Sequence, residues 1–274
     1  MRNPFKPSWM VLAALLITVG FTFAQRVPKP SGFNMFSKEQ ELQLGQEAAA
    51  EVEKKAKLIT HPEVVAYIQG IGKRLAQAPE SGGYPYTFKV VLDDSINAFA
   101  LPGGPTYVNT GLILAADNEG QLAGVMGHEI SHVALRHGTK QASKSSLIGL
   151  GASLGGAAGG GMLGQLAEMG IGLGANSVLL KYSRGAESDA DLLGARIMGK
   201  AGYNPIEAAR FFEKLEAETG KRSGLEQFFS SHPNPGNRSQ RIEKELQYLS
   251  KGPYNGDTGK LPQIQAILRK TKAK

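Results

Sequence analysis

The sequence predicts an α+β domain, mainly α, with a small antiparallel sheet packed against one helix that carries two histidines. Apolar residues recur at spacings of three and four along most of the chain, and the period becomes strand-like only between Tyr86 and Leu114. Hydrophobic residues make up 41% of the 274, which suits a globular core and excludes disorder as the default. Cysteine is absent, so there are neither disulfides nor a lipid-modified N-terminal cysteine.

The elements follow in order. Residues 1–24 have a basic start (Arg2, Lys6), an apolar stretch from Trp9 to Phe23 and a short residue at Ala24, the layout of an export signal cut before Gln25. An uncleaved membrane anchor is the rival, although an apolar stretch of about 15 residues is short for a span. Residues 25–36, with Pro28 and Pro30, read as a linker. Ser37 and Gln40 have capping-box spacing and open a helix to about Ile59. Pro62 restarts a helix that runs to about Ala78, with Val64, Ile68, Ile71 and Leu75 on one side and His61 at its exposed start. Strands are expected at Thr87–Leu92, Ala98–Leu101 and Thr106–Asn109. An edge of that sheet either accepts an extended peptide by strand addition or is covered by the chain itself.

From Asn118 to His137, Leu122, Val125, Met126, Ile130, Val133 and Ala134 mark a helix, with Asp117 as its N-cap and Gly138 as its C-cap. A glycine-rich insert follows at 149–176. It is too rich in glycine for a confident helix and reads as a lid, a membrane-touching hairpin or a surface excursion. Residues 182–200 are helical again. The domain is expected to span 37–250, and residues 251–274 form a basic tail that is either solvated or touches anionic lipid. No nucleic-acid motif is present.

The most informative pattern is His128-Glu129-Ile130-Ser131-His132. Residues four apart share a helix face with Cβ atoms about 6 Å apart, so both imidazoles reach one tetrahedral metal. Glu129 lies about 100° round the helix, within reach of a water activated by that metal. A catalytic zinc commonly takes three protein ligands and keeps the fourth position for water, so another helix must supply one. If the helix continues, His137 lies about 140° from the ligand face, which makes a carboxylate the better candidate. Glu187 and Asp191 share a face at i and i+4. The donor set suits zinc better than iron.

The pair H-E-x-x-H and E-x-x-A-D, joined by a glycine-rich insert, resembles the family-48 zinc metallopeptidases over about Ser37 to Leu249. The resemblance implies a zincin-like fold, one zinc ion per chain, Glu187 as the third ligand, and Asp191 orienting a ligating imidazole. It also gives a role to His232 and Arg238. Both would face the reacting carbonyl and steady the oxyanion, or His232 would instead approach the zinc and hold the enzyme shut. The family's sheet edge falls on Ala98, Phe99, Ala100, Leu101, Pro102 and Gly103, which are expected to bind substrate. The multiple membrane spans and the helical-repeat domain of some relatives are missing, which points to the stand-alone exported type.

These readings predict a zinc endopeptidase of the periplasm or cell envelope. Glu129 would be the general base, acting on misfolded proteins or on unfolded outer-membrane proteins and their assembly machinery. The alternative is a zinc-containing chaperone or assembly factor, latched and weakly proteolytic. Peripheral membrane contact would come through the insert or the tail.

Overall fold

The computed structural model describes residues 27–150, 181–220, 225–234, 237–249 and 252–272; the leader 1–24 and nearly all of the glycine-rich insert lie outside them. The described chain is mainly helical with one three-stranded sheet. Helix α1 (Lys38–Lys55) opens on the expected capping box: Ser37 Oγ accepts from the Gln40 amide at 3.2 Å, and Gln40 Oε1 accepts from the Ser37 amide at 2.7 Å. It stops short of Ile59 because residues 57–59 pair with the sheet. Leu92 N donates to Lys57 O and Ile59 N to Val90 O, each at 2.8 Å. Helix α2 (Pro62–Ala76) buries Val64, Ile68, Ile71 and Leu75, the stripe its sequence shows. Residues 34–36 do not behave as a free linker: Phe36 is buried, and Asn34 Nδ2 donates to Thr139 Oγ1 at 2.9 Å.

The sheet is mixed, which corrects the antiparallel expectation. Strands β1 (Thr87–Val91), β2 (Ala98–Ala100) and β3 (Pro105–Asn109) lie in the order β1-β3-β2, with β1 parallel and β2 antiparallel to β3. The β2–β3 hairpin turns through Gly103 and Gly104, both at positive φ. Its return strand docks beside β1 and therefore runs in the same direction as β1. Alternation along a strand reports which face is buried and carries no information on strand order. Since residues 57–59 cover β1, the edge of the sheet without a strand partner among the described residues is β2.

Helix α1 closes against the turn that follows β2. A Cβ on Gly45 would lie 1.7 Å from the Pro102 carbonyl oxygen, a contact with backbone that no rotamer relieves. Gly45→Ala is therefore expected to cost about 1–3 kcal/mol through overpacking. A melting curve unchanged from wild type would show that the turn yields freely.

Helices α3 (Thr110–Ala115), α4 (Glu119–Ala134) and α5 (His137–Leu150) follow, then α6 (Arg184–Lys200), α7 (Ile206–Glu218), α8 (Glu226–Ser231), α9 (Arg238–Leu246) and α10 (Leu261–Lys272). Every residue of α4 is buried, and it packs on α6, α7, α2 and β2. Two details of α4 differ from expectation. Asn118, not Asp117, is the N-cap, its side chain accepting from the Gln121 amide at 2.9 Å. The helix also ends at Ala134 rather than at Gly138, because Arg136 adopts φ 61° and a new helix starts at His137. Residues 261–272 are no solvated tail. Leu261, Ile264 and Leu268 are buried, α10 contacts α2 and α3, and Gln265 Nε2 donates to the Ile113 and Ala116 carbonyls. The basic residues lie among this apolar stripe in the sequence and hid it. Among the described residues no helix is long and apolar enough to cross a membrane.

Candidate metal centre

The site is built where α4 crosses α6. The crossing is close because both helices present glycine: a Cβ on Gly194 would meet His128 N at 3.1 Å, and one on Gly127 would meet Gly194 O at 3.3 Å. With the backbones this near, short acidic side chains on α6 reach the α4 histidines. Ser183 caps α6, accepting from the Ala186 amide, which sets Glu187 in its first turn.

His128, His132, Glu187 and His232 offer ligand atoms that all lie within 4.8 Å of one another, and all four residues are buried. His128 Nε2 and His132 Nε2 are 2.9 Å apart. Each lies 3.3 Å from an oxygen of Glu187, and His232 Nδ1 lies 3.2 Å from Glu187 Oε1. His232 reaches the cluster from the C-cap of α8, where its amide donates to Phe228 O at 2.8 Å. His61, at the start of α2, is not part of the group.

The expected supporting residues stand behind these. Asp191 Oδ1 lies 2.9 Å from His128 Nδ1. The buried guanidinium of Arg238 donates from Nε to Asp191 Oδ2 and from Nη2 to Glu187 Oε2, each at 2.7 Å, and its Cζ sits 4.0 Å from the centre of the Phe212 ring. Nη1 of Arg238 has no hydrogen-bond partner among the described residues. Glu129, fully buried, accepts from the Ala100 amide of β2 at 3.1 Å through Oε2. Among the described residues its Oε1 has no hydrogen-bond partner, and it lies 3.4 Å from His232 Nε2. The substrate-edge candidates Ala98 to Gly103 thus form β2 and its following turn, alongside α4. Asn97 O and Leu101 N bond to β3, so by alternation the amides and carbonyls of Ala98 and Ala100 face the β2 edge.

Before metal binds, the buried groups set one another's charge. Burial pushes Glu187 upward, but the charges of His232 and His128 and hydrogen bonds from His128 and His132 outweigh it, holding the carboxyl well below its usual range. Burial pushes His128 down, and Glu187 with Asp191 overcome this to bring it to about 9. Burial leaves His132 well below its ordinary value, hence neutral. Burial likewise raises Glu129, against the pull of His232 and His128. Without metal, a proton between His128 Nε2 and His132 Nε2 satisfies their 2.9 Å contact, and zinc binding replaces that proton; imidazole with carboxylate is a zinc donor set. The residues fit the metal.

Sequence reasoning missed two members of this environment. The Tyr182 ring stacks on His132 at 3.7 Å between centroids, with its amide donating to Ser231 O. His137, set aside as a ligand because a continuous helix turns it away, lies with Nδ1 2.9 Å from His132 Nδ1. No local pattern marks Tyr182. For His137 the only signal was that it is one of just five histidines in the chain.

Comparison with known proteins agrees with this geometry. The beta-barrel assembly-enhancing protease of Escherichia coli (strain K12) is 32% identical over 205 residues, covering 73% of this chain and 42% of that protein. The mitochondrial metalloendopeptidase OMA1 of Schizosaccharomyces pombe is 29% identical over 253 residues, covering 89% of this chain and 74% of that protein. The Escherichia coli metalloprotease LoiP is 33% identical over 170 residues, covering 60% and 64%. The chain thus spans well under half the length of the assembly-enhancing proteases it matches. The model of peptidase family M48 matches residues 62–246, which include every residue of the cluster. The chain belongs to peptidase family M48, a zinc metallopeptidase family, and the buried cluster is where one zinc ion fits.

Proposed function

We propose that this chain is an exported zinc endopeptidase of the cell envelope, with His128, His132 and Glu187 as ligands and Glu129 as general base. The observation that carries the proposal is the placement of Glu129. One oxygen is anchored by the Ala100 amide, while the other has no hydrogen-bond partner among the described residues and lies beside the ligand cluster. When bound, zinc polarises a water and the scissile carbonyl. Glu129 Oε1 takes the proton from the attacking water and passes it to the leaving amine. The Ala98 amide and the Ala98 and Ala100 carbonyls on the β2 edge align an extended polypeptide with little demand on its sequence, the Ala100 amide being held by Glu129. Arg238 fixes Glu187 and Asp191, and its Nη1 is the donor left for the developing oxyanion.

We read His232 as a latch. Its Nδ1 faces the ligands and its Nε2 faces Glu129, so the imidazole stands where the attacking water must sit. His232→Ala should therefore retain zinc through three ligands and raise cleavage of an unfolded polypeptide such as casein. A latch worth about 1.4 kcal/mol suppresses activity about tenfold. Loss of cleavage in this variant, with zinc retained, would assign His232 to the oxyanion instead.

The same closure favours a second reading, in which a mostly latched protein also acts as a chaperone or assembly factor. Unfolded outer-membrane proteins or their assembly machinery are the proposed partners, by analogy with the beta-barrel assembly-enhancing relatives. Pull-down of such a substrate by a Glu129→Gln variant, beside slow cleavage by the wild type, would support both activities. Contact with a membrane surface through the insert at 149–176 or the basic residues of α10 is part of the same proposal.

A further inference from the structure

We infer that His137 is a positioning residue for zinc binding, holding the ligand His132 through an imidazole-to-imidazole hydrogen bond. The inference rests on the assignment of His132 as a zinc ligand. His132 turns Nε2 toward Glu187 and His128, which leaves Nδ1 on the outer side of the ring. A neutral imidazole that gives its Nε2 lone pair to a metal carries its proton on Nδ1. The group facing that proton is His137 Nδ1, at 2.9 Å, which must then accept and carry its own proton on Nε2. His137 thus stands to His132 as Asp191 stands to His128, with a neutral acceptor in place of a carboxylate.

The backbone explains how a residue five positions along can do this. In an unbroken helix His137 would point away from the ligand face. Arg136 adopts a left-handed conformation at φ 61°, ends α4, and starts α5 at His137, which folds that ring back over His132. A non-glycine residue in that region carries a steric cost that its surroundings must offset. Here Arg136 Nε donates to Glu41 Oε1 at 2.9 Å, and Nη2 donates to Phe36 O at 2.5 Å. Glu41 is itself buried, accepting from Tyr84 and from Thr139 in the first turn of α5. The Tyr182 ring closes the other side, stacked on His132 with its centroid 6.2 Å from that of His137. The clamp on Arg136 and the buried pair of rings have no use in the proposed chemistry other than to fix the orientation of His132.

The test compares zinc affinity, by competition with a chromogenic chelator, in wild type, His137→Phe and His137→Gln. Outer acceptors of ligating histidines typically change metal affinity by about 10–100-fold. His137→Phe, which keeps the ring volume but offers no acceptor, should lose affinity in that range, and His137→Gln, whose amide oxygen can accept, should recover part of it. Affinity within twofold of wild type in a folded His137→Phe variant overturns the inference. If that variant does not fold, nitrogen NMR of the zinc-loaded wild type decides: His132 protonated on Nδ1 and His137 on Nε2 supports the inference, and any other pair of tautomers overturns it. A wild type that binds no zinc would instead overturn the ligand assignment, and the inference with it.

Discussion

Glu129→Gln is expected to bind zinc as tightly as wild type and to lose peptide cleavage by about 10²–10⁴-fold, the usual contribution of a positioned general base. Glutamine is nearly isosteric, and its carbonyl oxygen can keep the bond from the Ala100 amide. The replaced oxygen, Oε1, is the one with no hydrogen-bond partner among the described residues, and an amide nitrogen there cannot take a proton from water. Zinc binding should survive because Glu129 is not among the four convergent groups. Metal analysis beside casein hydrolysis checks both halves. Undiminished proteolysis would remove Glu129 from the mechanism, whereas loss of zinc would show that it also supports the ligands.

Arg238→Met should be the most destabilising change near the site. The guanidinium is buried and donates to two buried carboxylates at once, so its removal takes one charge-assisted bond from each of Asp191 and Glu187 and leaves them only their imidazole partners. Removing one partner of a buried pair costs about 3–5 kcal/mol, because the remaining charge stays desolvated. In a domain of this size that corresponds to a melting temperature lower by roughly 10 °C. Bound zinc would compensate Glu187 in part, so the loss should be larger in chelator than with zinc present. Equal melting temperatures for the variant and wild type in chelator would contradict the role of Arg238 as the tie between these carboxylates.

The helix α4 and the convergence of His128 and His132, the proposed ligand pair, were legible from the sequence because i and i+4 positions on a helix meet whatever surrounds them. The capping box at Ser37 was equally local. Glu187 and Asp191 were candidates from the need for a carboxylate on a second helix and from their shared face, but their roles, and His232 and Arg238 altogether, came only through family resemblance, since no short-range rule links α4 to residues at least 50 positions later. Their convergence depends on the close glycine crossing of α4 and α6 and on the C-terminal end of α8. His137 shows how a correct local rule fails. Helical extrapolation turned it away from the ligands, and a single residue at positive φ, held by Glu41 from another helix, brought it back.

By itself the sequence determined the mainly α class, three strands at the right places, a helix bearing two candidate metal ligands and the proposed base, and the absence of disulfides. These follow from periodicity and residue chemistry, which act over a few residues. Tertiary structure decided the mixed strand order, the docking of α10 onto α2 and α3, the burial of Arg238 between two acids and the placing of His232 between the ligands and Glu129. Each of those depends on which distant surfaces exclude water together, and burial then sets how strongly the charged groups act on one another.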